Sequence, residues 1–458
     1  MKRKLINYNN FIILLFLIVC FVTIHFHEMW FDEAQSWLIA RDLSFSGIFK
    51  QMVYEGHSCL FFYYLKILIL LGVPYKYLDY FSLFFCLIAV TLVLYKSPFN
   101  RYINTLLVFT PSFIYYCPVF ARPYAFSLLF FILICILYKE RYNHPFLLGI
   151  ILFLFINTHL LTVIFTGSLM IIEIYEYFFK DKKYFKERVI MGCMSLLGVI
   201  FFAIQLLGSF DKRSDIIGGI DIRDIFGSFI SIFDALFLGN VFFFIITMVL
   251  LFFLVKAIVV NKKVLFIILF NTICYMIFAS IYYIYTNKAI YIMMYFLFSI
   301  WIFYEDGEKK ECNKIFIIIL LISCIASFGY IRDDIVGNYS VAKSLTDYLK
   351  KDDRNKIKVL TIKYSSDFVA LLDDRFEFIS FSSGKKYTYC PYDLDFSNVN
   401  NDMREFIIDN SIDYVITSSL ATLNHDKIEM LVEEGFLSLE EKELSYVDSE
   451  LYIVYKVN

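Results

Sequence analysis

The chain has 458 residues, of which 59% are hydrophobic, 20% aromatic and only 19% charged. Soluble domains are nearer half apolar and a quarter charged, so this composition excludes a disordered chain, a fibrous protein and a nucleic-acid binder acting through bulk positive charge. The net charge of −2 averages two unlike regions: residues 1–330 carry 27 Lys and Arg against 20 Asp and Glu, whereas 331–458 carry 15 against 24. We therefore expect a lipid-embedded domain, 1–330, and a wet, acidic domain, 331–458.

Met1-Lys-Arg-Lys followed by the apolar run Phe11–Phe26 is built like a secretory signal. It lacks a small-residue cleavage site, which predicts an uncleaved anchor. Further apolar runs near 58–73, 78–95, 103–118, 123–138, 145–157, 160–179, 189–207, 240–258, 264–284, 289–304 and 315–330 predict helices. Backbone groups in lipid need partners within their own segment, and the runs lack the alternation of barrel strands. The expected fold is an α-helical polytopic membrane protein of about 11–12 spans with a small C-terminal α/β soluble domain.

Basic clusters mark the cytoplasmic side. They fall at Lys2–Lys4, Lys96 to Arg101, Lys139 to Arg141, Lys180 to Arg188, Lys262-Lys263 and Lys309 to Lys314. Alternation from the strongest, 180–188, predicts a cytoplasmic N-terminus. It puts residues 27–57, Arg122, His159, the 208–239 loop, Lys288 and the C-terminal domain outside. Two full crossings within 58–95 would put Arg122 on the wrong side. One of these two runs is therefore expected to be re-entrant or interfacial, and Lys66 points to the first. Seven cysteines lie inside apolar runs as small hydrophobes, and no CxxC or Cys/His metal spacing occurs.

Beyond Ile331, Ser340–Lys351, Asp402–Asp409 and Asp426–Glu434 read as helices. Lys356–Lys363, Phe376–Phe381, Ile412–Thr417 and Leu451–Tyr455 read as strands. The alternation suggests an α/β domain. No glycine-rich phosphate loop follows its first strand.

The first outer loop carries the densest chemistry: His27-Glu-Met-Trp-Phe-Asp-Glu-Ala-Gln-Ser-Trp37, then Tyr54-Glu-Gly-His57. Asp32 and Glu33 directly follow a span and are flanked by Trp30, Phe31 and Trp37. A partly dehydrated carboxylate there gains basicity, which suits a general base acting on a hydroxyl. The same letters, Asp32-Glu-Ala-Gln35, also fit a capping box of a helix running toward Leu43. In Ala121-Arg-Pro-Tyr-Ala125, Pro123 favours a first helical turn. Arg122 would then stand at the helix N-terminus as a phosphate ligand or as a snorkelling anchor. Asn157-Thr-His159 interrupts two apolar runs, and polar residues there are functional candidates. Lys288 can meet a second phosphate oxygen or be a plain loop charge. The polar loop Asp211 to Asp224 can cover an acceptor or be simply solvated. A divalent metal ion held by His27, Glu28, His57 and His159 stays open, without a zinc-like spacing to support it.

Trp30-Phe-Asp-Glu-Ala-Gln-Ser-Trp37, Glu55-Gly-His57, Ala121-Arg-Pro-Tyr-Ala125 and Asn157-Thr-His159, in that order, resemble motifs of the membrane-embedded GT-C glycosyltransferases. The group it looks most like is the bacterial relatives of the glycosyltransferase 39 class. That class includes protein O-mannosyltransferases, the lipid A aminoarabinose transferase and the Rgt galacturonosyltransferases of lipopolysaccharide core. The resemblance covers roughly 1–300 and is most specific in 27–60 and 115–130. It implies a GT-C fold and a polyprenyl-phosphate sugar donor. It also implies transfer to a glycolipid, polysaccharide or protein of the cell envelope at the outer face of the membrane. It places the catalytic base on Asp32, with Glu33 its usual neighbour, and it sets Arg122 and Tyr124 toward the donor. His57, His159 and Lys288 complete the expected substrate-binding set. Relatives carry an Arg-Tyr pair where this chain has Asn287-Lys-Ala-Ile-Tyr291, and Lys lacks the guanidinium fork. The resemblance fixes no cofactor.

Two other classes compete. A non-enzymatic flippase of lipid-linked sugars would show charges deep within spans and pseudo-repeats, and the sequence shows neither. A bare anchor for 331–458 would need neither so many spans nor an acidic loop. Truncation near Ile331 is expected to abolish the anchor's function while leaving a transferase able to keep its chemistry.

Overall fold

The structure is a computed structural model. It describes residues 2–207, 223, 225–230, 241–259, 261–281, 284, 286–307, 312–362, 364–391, 402–418, 425–444 and 451–458. The expected outer loop 208–239 lies outside these residues apart from Arg223 and 225–230. The chain is a helical membrane protein with a small C-terminal sheet. Among the described residues six helices are long and apolar enough to cross a membrane: Tyr8–Phe26, Tyr75–Lys96, Leu160–Phe179, Phe185–Leu206, Lys262–Ala279 and Asn313–Val336. Shorter apolar helices span Leu60–Leu70, Tyr124–Tyr138, Pro145–Ile156 and Ala289–Glu305.

Two expected runs change character. The run 58–73 yields an 11-residue helix, Leu60–Leu70, about 16 Å long at the helical rise and too short for a hydrocarbon layer of about 30 Å. Its Lys66 donates to the Arg41 carbonyl at 3.1 Å. The run 103–118 breaks at Thr110-Pro111 into Arg101–Val108 and a π-helical turn, Ser112–Tyr116. Proline supplies no N–H to continue the ladder.

The residues cluster into two compact units. The membrane unit comprises Met1–His25, Gly56–Phe61 and Tyr77–Ile331; the second comprises Phe26–Glu55, Phe62–Lys76 and Arg332–Asn458. The first outer loop thus belongs to the same unit as the C-terminal domain.

In the membrane unit, Pro145–Ile156 and Phe185–Leu206 approach closely at Gly149 and Gly198. A Cβ at Gly198 would sit 3.1 Å from the Phe153 Cα. Small residues at such crossings let membrane helices pack on backbone. At one end of the unit the basic clusters are not simply solvated. Arg141 Nε meets Glu173 at 2.6 Å, Arg188 meets Glu173 at 3.0 Å, and Lys263 and Arg141 converge on Glu176. Arg141, Glu173 and Glu176 are buried, so each charge depends on its partners.

Among its described residues the second unit carries one sheet, in the order β2-β1-β3-β5-β4. The strands are β1 (Ile357–Thr361), β2 (Phe376–Ser380), β3 (Tyr414–Ser418), β4 (Leu437–Leu444) and β5 (Leu451–Val457). β1 pairs parallel with both β2 and β3, and β5 pairs antiparallel with β3 and β4. Leu360, Ile379, Val415, Ile453 and Tyr455 form one apolar face with Ile407 and Leu431 of the helices Met403–Asn410 and His425–Glu433. Residues alternate across a strand, so Tyr452 points to the other face. There its ring meets Phe368 of the helix Ser366–Leu371 at 4.9 Å. The predicted elements are present with shifted ends, and β4 and Ser366–Leu371 are additions.

Candidate functional site

The expected site residues divide between the two units. Asp32 and Glu33 are in the second; His57, Arg122, Tyr124, His159 and Lys288 are in the membrane unit.

The motif segment forms a helix, Phe31–Asp42, capped at Trp30. The expected box beginning at Asp32 is displaced by two residues. It is Glu33 that accepts the Trp30 N–H, at 3.1 Å, while Glu33 N–H donates to the Trp30 carbonyl. Asp32 therefore sits in the first turn, half-buried, where a negative charge complements the helix dipole. Glu33 is fully buried, and its Oε2 lies 3.4 Å from His27 Nε2. The other ring nitrogen of His27, Nδ1, lies 2.9 Å from Asp334 Oδ2, and both side chains are inaccessible. Burial by itself lowers the His27 pKa, but the charges and hydrogen bonds of Asp334 and Glu33 outweigh it and hold the imidazole well above its ordinary value. Burial also pushes Glu28 up to about 7.

Gln35 is a second node. Its carbonyl oxygen accepts from Ser366 Oγ at 2.7 Å and from the Cys390 N–H at 2.9 Å. Its amide donates to the Cys390 carbonyl at 2.7 Å and to Glu55 at 3.2 Å. Gln51, one helical turn before Glu55, donates to Glu55 and to the Pro391 carbonyl.

In the membrane unit three of the predicted residues come together. Arg122 is 8% exposed, and its Nη2 donates toward His57 Nε2 at 3.4 Å. The His57 and His159 rings lie 5.4 Å apart. Tyr124 opens the helix Tyr124–Tyr138, whose N-cap is Pro123, so the expected start after Arg122 is met within one residue. His159 caps the helix Leu160–Phe179, its Nδ1 accepting the Leu161 N–H at 3.2 Å. In the neutral ring the proton is then on Nε2. Burial, and then the positive charges of Lys288 and Arg122, hold the His159 pKa well below its ordinary value. The field at this point is therefore positive. Asn157 and Thr158 act on the backbone and on neighbouring helices. Asn157 accepts from Ser58 Oγ and donates to the Phe153 carbonyl; Thr158 Oγ1 accepts from Ser127.

Tyr291, to which the sequence assigned no role, lies beside these residues. It is fully buried, stacks on His159 at 4.3 Å and bonds to Ser127 at 3.3 Å. Its signal was its position, three residues beyond Lys288 at the head of Ala289–Glu305. The same unit holds a partly open apolar pocket of about 640 Å³. Leu251, Tyr275, Met276, Tyr295 and Phe296 are among the residues that line it.

The metal site that the sequence leaves open gains no support from the geometry. His27 has both ring nitrogens engaged by carboxylates, and among the described residues no three His, Cys, Asp or Glu side chains form a metal-holding group. Compared with known proteins, the chain matches no family model and no curated sequence.

Proposed function

We propose that the protein is a GT-C-like glycosyltransferase. It moves a sugar from a polyprenyl-phosphate donor to a hydroxyl of an envelope glycolipid, polysaccharide or protein at the outer face of the cytoplasmic membrane. The observation that carries the reading is the buried guanidinium of Arg122 in the membrane unit, with half-buried Lys288 as a second cation acting on the same histidine, His159. Arg122 beside His57, with Lys288 and Arg122 both acting on His159, is a field suited to an anionic phosphate. Donors fixed before reaction stabilise the charge that grows on a leaving carrier phosphate. The 640 Å³ apolar pocket lies in the size range of ligand sites, roughly 300–1,000 Å³, and suits a hydrocarbon tail.

In this reading Asp32 takes the proton of the acceptor hydroxyl as its oxygen attacks the anomeric carbon. The carbon–oxygen bond to the carrier phosphate breaks, the configuration inverts, and polyprenyl phosphate leaves. Glu33 keeps the loop in shape. The orientation follows from the basic clusters. Taking Leu60–Leu70 as interfacial and every other apolar run, the shorter Tyr124–Tyr138, Pro145–Ile156 and Ala289–Glu305 included, as a crossing, alternation from a cytoplasmic N-terminus carries Arg122, His159, Lys288 and the C-terminal domain to the outer side.

The test uses the full chain in vesicles with a panel of radiolabelled polyprenyl-phosphate sugars. Release of polyprenyl phosphate with a labelled envelope product supports the reading. Movement of intact lipid-linked sugar across the bilayer without bond cleavage overturns it in favour of a flippase.

A further inference from the structure

Several buried polar side chains of the segment 27–55 are matched by groups that enter from 332–458. His27 meets Asp334, in the last turn of Cys312–Val336. Gln35 bonds Ser366 and Cys390, and Gln51 bonds the Pro391 carbonyl. Ser366 belongs to the segment that follows β1 at its carboxyl end, and Cys390 to the one that follows β2. The chain crosses from β1 to β2 on the face holding Ser366–Leu371. It returns from β2 to β3 on the face holding Met403–Asn410. Open α/β sheets bind their ligands at the carboxyl edge where the crossovers change face. In this chain the helix Phe31–Asp42 packs against the helix that leaves that edge.

We propose that the α/β domain is a positioning element whose ligand is the chain's own acidic loop. It holds Phe31–Asp42, and Asp32 with it, through the His27–Asp334 junction and the Gln35 hub. The proposal rests on the reading of Asp32 as the catalytic base. Asp334 and Gln35 are positioning residues, acting through the helix that bears Asp32.

The junction is also sensitive to pH. His27 faces Asp334 from the end of Cys312–Val336, Glu33 from the loop helix and the Tyr339 ring at 5.1 Å. Glu28 beside it feels burial first, then the opposing charges of Lys343 and His27, then the like charges of Glu443 and Asp334. Both His27 and Glu28 have folded-state pKa values above their ordinary ones. Each therefore contributes stability that is complete below the ordinary value and is lost as pH rises through the folded one. The loop is held most firmly in acid; the Glu28 contribution fades from the ordinary carboxylate range up to about 7, and the His27 contribution from the ordinary histidine range upward.

Hydrogen exchange of 27–42 in the full-length protein in lipid nanodiscs tests this, together with the pH profile of sugar transfer. In the wild type, protection of 27–42 falls with rising pH beyond the intrinsic change in exchange rate. Asp334→Asn raises exchange there by about tenfold and moves the alkaline limb of kcat to lower pH, because His27 loses its main charged partner. Asp334→Glu restores both. Gln35→Leu raises exchange without moving the limb. Unchanged exchange in both variants, or a lower rate with an unmoved limb and no rescue by Glu, overturns the proposal. Exchange alone decides the positioning, and the wild-type pH series does so even where a variant fails to fold. Transfer by Asp32→Asn decides the base assignment separately.

Discussion

Gln35 accepts the hydroxyl hydrogen of Ser366 at 2.7 Å, across 331 residues of sequence. Gln35→Leu removes that bond together with both bonds to the Cys390 backbone. A buried polar group left unsatisfied costs about 1–3 kcal/mol, so the variant is expected to melt at a clearly lower temperature in differential scanning fluorimetry. Deletion of 332–458 goes further and removes Ser366, Cys390 and Asp334 together, leaving Gln35 only its bond to Glu55. The expectation that truncation near Ile331 leaves a transferase its chemistry is therefore replaced. The deletion is expected to abolish transfer and to open 27–55 to protease, which limited proteolysis of the membrane-inserted protein reads directly.

Asp32 and Glu33 are adjacent but differ in surroundings, and their conservative variants are expected to fail differently. Asp32 is half-buried in the first helical turn, whereas Glu33 is sealed between the Trp30 N–H and His27. Asp32→Asn keeps the shape and loses the base, which costs about 10²–10⁴-fold in kcat with an unchanged Tm. Glu33→Gln keeps an acceptor for Trp30 but removes a charge facing His27. It is expected to lower the Tm while leaving kcat per folded molecule within about tenfold. The reverse pattern would move the base to Glu33.

What the sequence revealed, and what it hid, follows from the range of each interaction. Pro123 announces the helix that Arg122 precedes because its effect is local. The capping box was misplaced by two residues because Trp30 has no side chain that can cap and so carries no local signal, the Glu33 N–H going to its backbone carbonyl instead, while the fold sends Gln35 elsewhere. The Gln35–Ser366 bond and the His27–Asp334 pair join residues more than 300 positions apart, and nothing local marks them. β4 was hidden for another reason. Its Leu437-Ser-Leu-Glu-Glu-Lys-Glu-Leu444 is an edge strand rich in charge, with a register shift at Leu439/Glu441 that breaks the alternation. The inner charges read as topology markers, and the sequence does not show that Glu173 and Glu176 also turn back onto Arg141, Arg188 and Lys263.

The Glu173 cluster carries its own prediction. Two arginines meet one buried carboxylate, at 2.6 and 3.0 Å. Breaking a buried pair from one side strands the other charge and costs about 3–5 kcal/mol. Glu173→Gln is expected to lower the yield of folded protein sharply, as read by size-exclusion profile and Tm. Exchange of the exposed Lys180 for Gln should leave both unchanged, because half of its side chain already faces solvent.

Gly198 shows how packing reaches the site. A Cβ there would lie 3.1 Å from the Phe153 backbone and 3.2 Å from Ile156 Cδ1. The Gly198 carbonyl also accepts from Asn157, two residues before His159. Gly198→Val is expected to separate the two helices, lower the Tm and weaken donor binding together. Gly192, on the same helix with open space around it, is the control, and Gly192→Ala should be silent in both assays.

Arg122 is where the proposed donor site is most exposed to test. A hydrogen bond to a charged group contributes about 1.5–3 kcal/mol. Arg122→Ala is therefore expected to weaken binding of a short-chain polyprenyl phosphate by about 10–100-fold. Arg122→Lys should fall between, since it keeps the charge and loses the fork. Burial is the first cause of the low His159 pKa and Lys288 the second, and both remain in Arg122→Ala, so His159 stays neutral and does not replace the lost guanidinium. The Arg122→Ala variant is therefore expected to bind weakly across the pH range, which microscale thermophoresis in a pH series measures. Equal affinity in wild type and Arg122→Ala at every pH would remove the phosphate from this cluster.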